Sequence, residues 1–300
     1  MTEKLDPSDP ARLAALKPLD VHGQWPWSVL HTDAKHWQAR KTWWRGQIDD
    51  LAGRENVEIF RHGVSGRHHR ISGGKSRFDG FLTELLYTWY SPHGGHVLDP
   101  FAGGPTRGTI AHLLGRTYHG WDLSHAQIDA NRDQAARHPD IDPPVWEHGD
   151  GITGLRSHPE SADFVLTCPP YHNVEKYTDH PQDLSAMTWP DHLTAVQDAW
   201  DAIATALKPD RFAAWVTGDL RNPSTGQARL LPERTTLAAE QAGLKVVNTH
   251  ILSQPVGTKY RMIRRWWENT RSCGRTHQTV IIAVKGDRRR AVEAIRDATH

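Results

Sequence analysis

From His96 onward, short apolar runs alternate with longer stretches whose apolar positions recur every three or four residues. The pattern predicts strands over His96–Phe101, Thr117–Leu123, Val145–Asp150, Ala162–Thr167, Phe212–Leu220, Leu244–Leu252 and Gln278–Lys285. Helices are expected between them, over Thr106–Leu114, Ala126–Ala136, Asp191–Leu207 and Leu230–Ala242. Such alternation implies parallel strands joined by right-handed crossovers, a doubly wound α/β fold. Phe78–Tyr90, ended by Ser91-Pro92, predicts a helix just before the first strand, and Arg289–Ala298 predicts a peripheral last helix.

Before residue 76 this rhythm is absent. Asp33–Leu51 places Trp37, Trp44, Ile48 and Leu51 on or near one face of a predicted helix. Arg61-His62 and Arg67-His68-His69-Arg70 fall among glycines and read as a basic loop. The expected organisation is an irregular, basic, Trp-rich region over 1–75, a main domain over 76–286 and a tail helix over 287–300.

Composition narrows the class. The chain has 300 residues, enough for one large α/β domain with an appended region. Mean hydropathy is -0.64, and no apolar run approaches the roughly 18 residues of a membrane span. The stretch Met1–Asp9 is charged and lacks the apolar core of a signal peptide. Two cysteines, Cys168 and Cys273, form neither a disulfide framework nor a zinc-ligand spacing, so a cytoplasmic protein without a metal is expected. The 36 basic and 35 acidic residues nearly cancel, and net charge therefore identifies no partner. Thirteen tryptophans say more, because several stand beside arginines, as in Trp43-Trp44-Arg45 and Arg264-Arg265-Trp266-Trp267. They fit amphipathic packing or a stacking and phosphate-gripping surface for nucleic acid.

Candidate chemistry gathers at the strand ends, where open α/β sheets bind ligands. The first predicted strand closes on Asp99-Pro100-Phe101-Ala102-Gly103-Gly104, whose small residues allow close backbone approach to a ligand. The glycines at 103, 104 and 108 do not make the dinucleotide fingerprint. The second strand ends at Asp122, about 20 residues on, suited to gripping ribose hydroxyls. The third ends at Asp150, which suits either an adenine amine or a helix cap. Together these acids favour an adenosine-bearing cofactor without a pyrophosphate. The fourth strand runs into Thr167-Cys168-Pro169-Pro170-Tyr171. Two prolines stop the ladder and stiffen the backbone, leaving carbonyls as fixed acceptors, and Tyr171 offers a face for a flat base.

The stretch Val97 to Gly104 resembles the cofactor-binding motif of amino-group DNA methyltransferases, and Thr167 to Tyr171 resembles their catalytic [D/N/S]-P-P-[Y/F/W] motif. Phe78 to Tyr90 is similar to the helical motif that precedes them. Gly218-Asp219-Leu220-Arg221 and Gly274-Arg275-Thr276-His277-Gln278 resemble stretches of phage-carried DNA methylases. The resemblance covers about residues 75 to 286. It implies a mostly parallel sheet of the Rossmann-like class I methyltransferase type and S-adenosylmethionine as cofactor. The methionine and sulfonium parts would lie against Asp99, Phe101 and Gly103, with Asp122 on the ribose and Asp150 near the adenine. A flipped base would stack on Tyr171 while the Cys168–Pro169 backbone accepts from its exocyclic amine.

Cys168 departs from the motif, which has Asp, Asn or Ser there. A thiol is a weak hydrogen-bonding group. It fits a packing cysteine, or a nucleophile attacking a pyrimidine ring, although in ring-carbon methyltransferases the cysteine follows the proline. Serine motifs accompany N4-cytosine methylation in the family, and Cys168, close to serine in size, favours N4-cytosine over N6-adenine.

Lys259 to Trp267 reads as a basic loop with Glu268 the only nearby acid. Lys259, Arg261, Arg264, Arg265 and Trp266 are the candidate phosphate and stacking contacts, against a merely solvated basic loop. The expected partner is double-stranded DNA, and the region over 1–75 is a second candidate contact. Rival readings are an RNA methyltransferase, a small-molecule methyltransferase and a non-catalytic DNA-binding relative.

Overall fold

The computed structural model describes residues 20–48, 52, 58–59, 77–137, 142–172, 175–176, 178, 180–256 and 260–297. The expected loop over Arg61–Arg70, Leu51 and Lys259 lie outside the described residues.

The strands are β1 (Val29–His31), β2 (Glu58–Ile59), β3 (His96–Asp99), β4 (Thr117–Asp122), β5 (Val145–His148), β6 (Ala162–Thr167), β7 (Glu175–Lys176), β8 (Leu207–Thr217), β9 (Lys245–Ser253) and β10 (His277–Lys285). The helices are α1 (Lys35–Gln47), α2 (Gly80–Tyr90), α3 (Thr106–Leu113), α4 (His125–Ala135), α5 (Gly151–Arg156), α6 (Trp189–Ala206), α7 (Leu231–Gln241), α8 (Tyr260–Thr270) and α9 (Arg288–Asp297). Eight strands form one sheet in the order β1-β9-β10-β8-β6-β3-β4-β5, and β2 pairs with β7 separately. The pairs from β8 through β6, β3 and β4 to β5 are parallel. β10 runs antiparallel between β8 and β9, the one reversal within this sheet. This is a doubly wound α/β fold with a mostly parallel sheet, as expected.

Local chemistry starts the helices where the strands deliver the chain. Asp79 accepts from the backbone N–H groups of Phe81 and Leu82 and begins α2. Ser124 caps α4, Asp150 caps α5, and Thr188 followed by Pro190 opens α6. Helices cover both faces of the sheet, and β6 is buried along its whole length, as a central parallel strand must be.

Two expectations need correction. The boundary at residue 75 is not a boundary in packing, because β1 is the edge strand beside β9 and α1 packs on α2. Leu30, Trp37, Trp44 and Ile48 are part of the same core as the central strands. The stretch read as a basic loop is the helix α8; arginine and methionine are good helix formers, and charge density alone does not signal a loop.

Glu84 explains how α1 is held. Its buried carboxylate accepts from Arg40 Nε at 2.7 Å, Arg40 Nη2 at 2.8 Å and Trp44 Nε1 at 2.7 Å, with His22 Nε2 at 3.1 Å. Asp79 adds Lys41 Nζ at 2.7 Å and Trp37 Nε1 at 3.1 Å. A buried carboxylate with this many donors has its desolvation offset only while α1 stays docked.

Candidate functional site

The strand order turns around between β3 and β6, so their carboxyl ends border a crevice. A cavity of about 610 Å³ opens there, within the range of small-molecule sites. Phe101, Gly103, Asp122 and Asp150 line it, as do Cys168, Pro169, Pro170 and Tyr171. Eight of the nine residues expected at the cofactor and catalytic positions therefore meet on one cavity.

The ninth, Asp99, sits behind it. It is fully buried, and its carboxylate accepts from Arg107 Nε at 2.6 Å, Tyr118 Oη at 2.9 Å, Thr167 Oγ1 at 2.9 Å and the Phe101 N–H at 3.1 Å. Four donors consume what a carboxylate can accept. Asp99 therefore acts by shaping the turn and by tying the end of β3 to the end of β6, not by facing a ligand. Arg107 also donates to the carbonyls of Phe101 and Ala102, so a buried ion pair fixes both sides of the glycine turn. Burial works against the Arg107 charge, but the adjoining Asp99 outweighs it and raises the guanidinium pKa. Burial first, and then Asp99, push the Tyr118 hydroxyl well up, which keeps it a neutral donor.

Gly103 has φ +53°, donates its N–H to Asp122 Oδ2 at 2.9 Å, and its carbonyl accepts from Asn131 at 2.8 Å. Asp122 Oδ1 accepts from the Ser124 N–H at 2.8 Å. Asp122 thus links the two turns that floor the cavity. Asp150 is engaged as a helix cap, accepting from the Thr153 N–H at 3.0 Å, Thr153 Oγ1 at 2.6 Å and the Ile152 N–H at 3.3 Å. Between the readings left open for it, the cap is what its geometry displays. Next to it, Gly151 has no room for a side chain: a Cβ would stand 1.9 Å from the Pro100 carbonyl oxygen. The first and third strand ends are in backbone contact there.

At the end of β6, Pro169 and Pro170 carry Tyr171 to the cavity. Tyr171 Oη accepts from Gln278 Nε2 at 2.6 Å and lies 3.8 Å from Cys168 Sγ. Behind this turn, Trp189 stacks on His192, His172 meets both edge-on, and Arg229 lies 4.2 Å above Trp189. His192 is buried and bonds the Leu184 carbonyl at 3.0 Å. Burial, helped by His172 and Arg229 and opposed by the Leu184 carbonyl, lowers its pKa to about 4. A neutral imidazole there is compatible with the nearby guanidinium.

Several cavity residues escaped the sequence reading. Lys41 and Arg45 of α1 form one wall, with Arg77 and Phe78 ahead of α2. Gln254 and Gln278, at adjoining ends of β9 and β10, form another. The Gly274–Gln278 stretch is a recognisable pattern, but no signal along the chain ties position 278 to Tyr171.

Helix α8 joins those same two strands, between Gln254 and Gln278, and so stands at the rim. Its inner side carries Ile263 and half-buried Trp266, which face Gly274. Arg264, Arg265 and Trp267 are exposed; Arg264 pairs with Glu268 at 2.7 Å and Arg271 lies 5.7 Å from the Trp267 ring. The backbone of Arg261 is helical. Ile263, Arg264, Arg265, Trp266 and Trp267 do not line the cavity itself.

No protein-family description and no curated protein sequence matches the chain. Among solved structures, TrmN from Thermus thermophilus is 17% identical over 70% of this chain and 50% of that one, with a TM-score of 0.48. The chain thus spans half the length of that structure. The [4+2]-cyclase SpnF is 14% identical over 76% of this chain and 86% of that one, with a TM-score of 0.48. A geranyl diphosphate methyltransferase in complex with geranyl diphosphate (GPP) and sinefungin is 14% identical over 70% and 78%, with a TM-score of 0.47. No helix among the described residues is long and apolar enough to cross a membrane.

Proposed function

We propose that the chain moves a methyl group from S-adenosylmethionine to the exocyclic amine of a base flipped out of double-stranded DNA, with N4 of cytosine favoured over N6 of adenine. One observation carries this reading: the Pro169-Pro170-Tyr171 turn and the Asp122 turn open onto a single cavity of about 610 Å³. That volume suits a nucleoside-sized cofactor with one base beside it. The residues fit the cofactor. Asp122 opens onto the cavity, where its carboxylate would grip a ribose. Phe101 and Gly103 would hold the methionine end, and Asp150 would border the adenine end.

When bound, the cofactor supplies an electrophilic methyl carbon on its sulfonium. The chain's own part is positioning. The carbonyl between Cys168 and Pro169 accepts from the amine and aims its lone pair, while the Tyr171 ring holds the base by its face. Lys259, Arg261, Arg264, Arg265 and Trp266, the cluster read from the sequence, would grip the flanking duplex. Cys168 stands before the proline and beside Tyr171, a placement that favours amino over ring-carbon transfer.

Nucleoside mass spectrometry of duplex DNA and RNA incubated with the protein and S-adenosylmethionine tests the reading. A methylated amine in DNA is expected; label in RNA alone would replace the substrate. Cys168→Ser should stay active, since a hydroxyl restores the family's serine. A folded, cofactor-binding Cys168→Ser protein without activity would establish covalent catalysis instead.

A further inference from the structure

The two prolines fix the backbone beneath Tyr171 but not the plane of its ring. A tyrosine ring turns about two bonds, and a hydrogen bond at its far end restrains both. β10 supplies that bond. Gln278 Nε2 donates to Tyr171 Oη at 2.6 Å, and Gln278 Oε1 accepts from Gln254 Nε2 at 2.8 Å. The Gln278 backbone is itself fixed in the sheet opposite Leu252. Gly218, just beyond β8, closes the arrangement: a Cβ there would stand 3.6 Å from Tyr171 Cε2 and 3.8 Å from Gln278 Cγ. The ring therefore lies in ordinary contact range of both strand ends. Gly218 and Gln278, which begin one motif and end another, converge on this one ring.

We propose that Gln278, held in turn by Gln254, is a positioning residue that sets the plane of Tyr171 and through it the placement of the target base. The second half of that statement rests on the amino-methylation reading; the first half does not. The physical reason is the steepness of rate with geometry, since a misplacement of about 1 Å can cost roughly a hundredfold.

Methyl transfer from labelled S-adenosylmethionine to mixed-sequence duplex DNA is the first measurement. Gln278→Leu should lower kcat roughly ten- to hundredfold while leaving cofactor affinity unchanged. In a Tyr171→Phe background the same substitution should add less than about twofold, because the bond it removes is already gone. Multiplying effects, or a wild-type kcat in Gln278→Leu, would overturn the proposal. The second measurement needs no DNA. With exposed Cys273 replaced by serine, the alkylation rate of Cys168 by iodoacetamide reports how closely the Tyr171 hydroxyl is held against the thiol. Gln278→Leu and Tyr171→Phe should both raise it several-fold, and an unchanged rate in Gln278→Leu would sink the positioning role. Should wild-type protein methylate no DNA while alkylation still responds, the ring-holding role stands and the substrate reading falls.

Discussion

In α1, Trp37 and Trp44 are buried and each indole N–H has a carboxylate partner; in α8, Trp267 is about half exposed and Trp266 only half-buried. Both helices combine tryptophan pairs with arginines, so composition does not distinguish them. The facing element does. α2 presents Glu84 and Asp79 to α1, and their buried carboxylates turn its cations and indoles into an interior network. Among the described residues, Arg264 of α8 pairs with that helix's own Glu268, exposed like Arg264 itself, and surface pairs of this kind contribute about 0.5 kcal/mol. A basic, tryptophan-rich helix is thus a wall of the site in one place and a solvated rim in the other. In the second, Arg264 and Arg265 stand exposed at the surface, where a polyanion could reach them.

The largest expected effect breaks the first half of this contrast. Glu84→Leu should destabilise the protein by roughly 3 kcal/mol, at the lower end for a broken buried pair because Arg40 and His22 keep some water. Urea unfolding gives the value, and a loss below about 1 kcal/mol would mean that α1 is held by apolar packing alone.

Acid provides a second probe of burial. The His192 pKa is lowered to about 4 from an ordinary 6.5, so the folded state binds fewer protons than the unfolded chain between those values. Its contribution is present above pH 6.5, falls as pH drops, and is lost by about pH 4. The full span amounts to roughly 3 kcal/mol. His192→Gln should flatten the stability profile across that window. An unchanged profile would assign the acid sensitivity to other groups.

For α8 the contrast predicts binding without stability. Replacing Arg264 and Arg265 by alanine should shift unfolding by less than about 0.5 kcal/mol. DNA affinity should nevertheless fall on every sequence, with the salt slope reduced by about two units. Fluorescence anisotropy across a salt series measures it, and an unaltered slope would turn those arginines away from phosphate. The smallest effect is Trp267→Ala. Stability should hold, and DNA binding should weaken by roughly 1 kcal/mol if the ring stacks on a base. A loss of stability instead would mean that α8 belongs to the interior after all.

How much of this was legible depended on distance along the chain. β6 begins and ends at the expected residues, since a fully buried strand is a continuous apolar run closed by two prolines. The strand-end acids were legible because each follows such a run. Asp99 was recognised as a site residue, yet its role was not, because Arg107, Tyr118 and Thr167 reach it only after folding. β1 escaped notice as three residues in a stretch rich in tryptophan and proline. α5 escaped as a six-residue helix with glycines at 151 and 154. Gln278 carries no signal of its own, for its partner lies 107 residues away.

The edge pairing of β1 also has a consequence in time. Thr32 bonds the Ser253 carbonyl, 221 residues further on. At roughly 5–20 residues per second of synthesis, the first strand leaves the ribosome tens of seconds before its neighbour exists. α2 follows much sooner, so the Glu84 network can capture α1 early and keep β1 waiting at the flank of a growing sheet. Until β9 and β10 arrive, that flank is an open edge with unpaired backbone groups. The segment that walls the site in the finished molecule is therefore, for most of its synthesis, the one most exposed to pairing with the wrong chain.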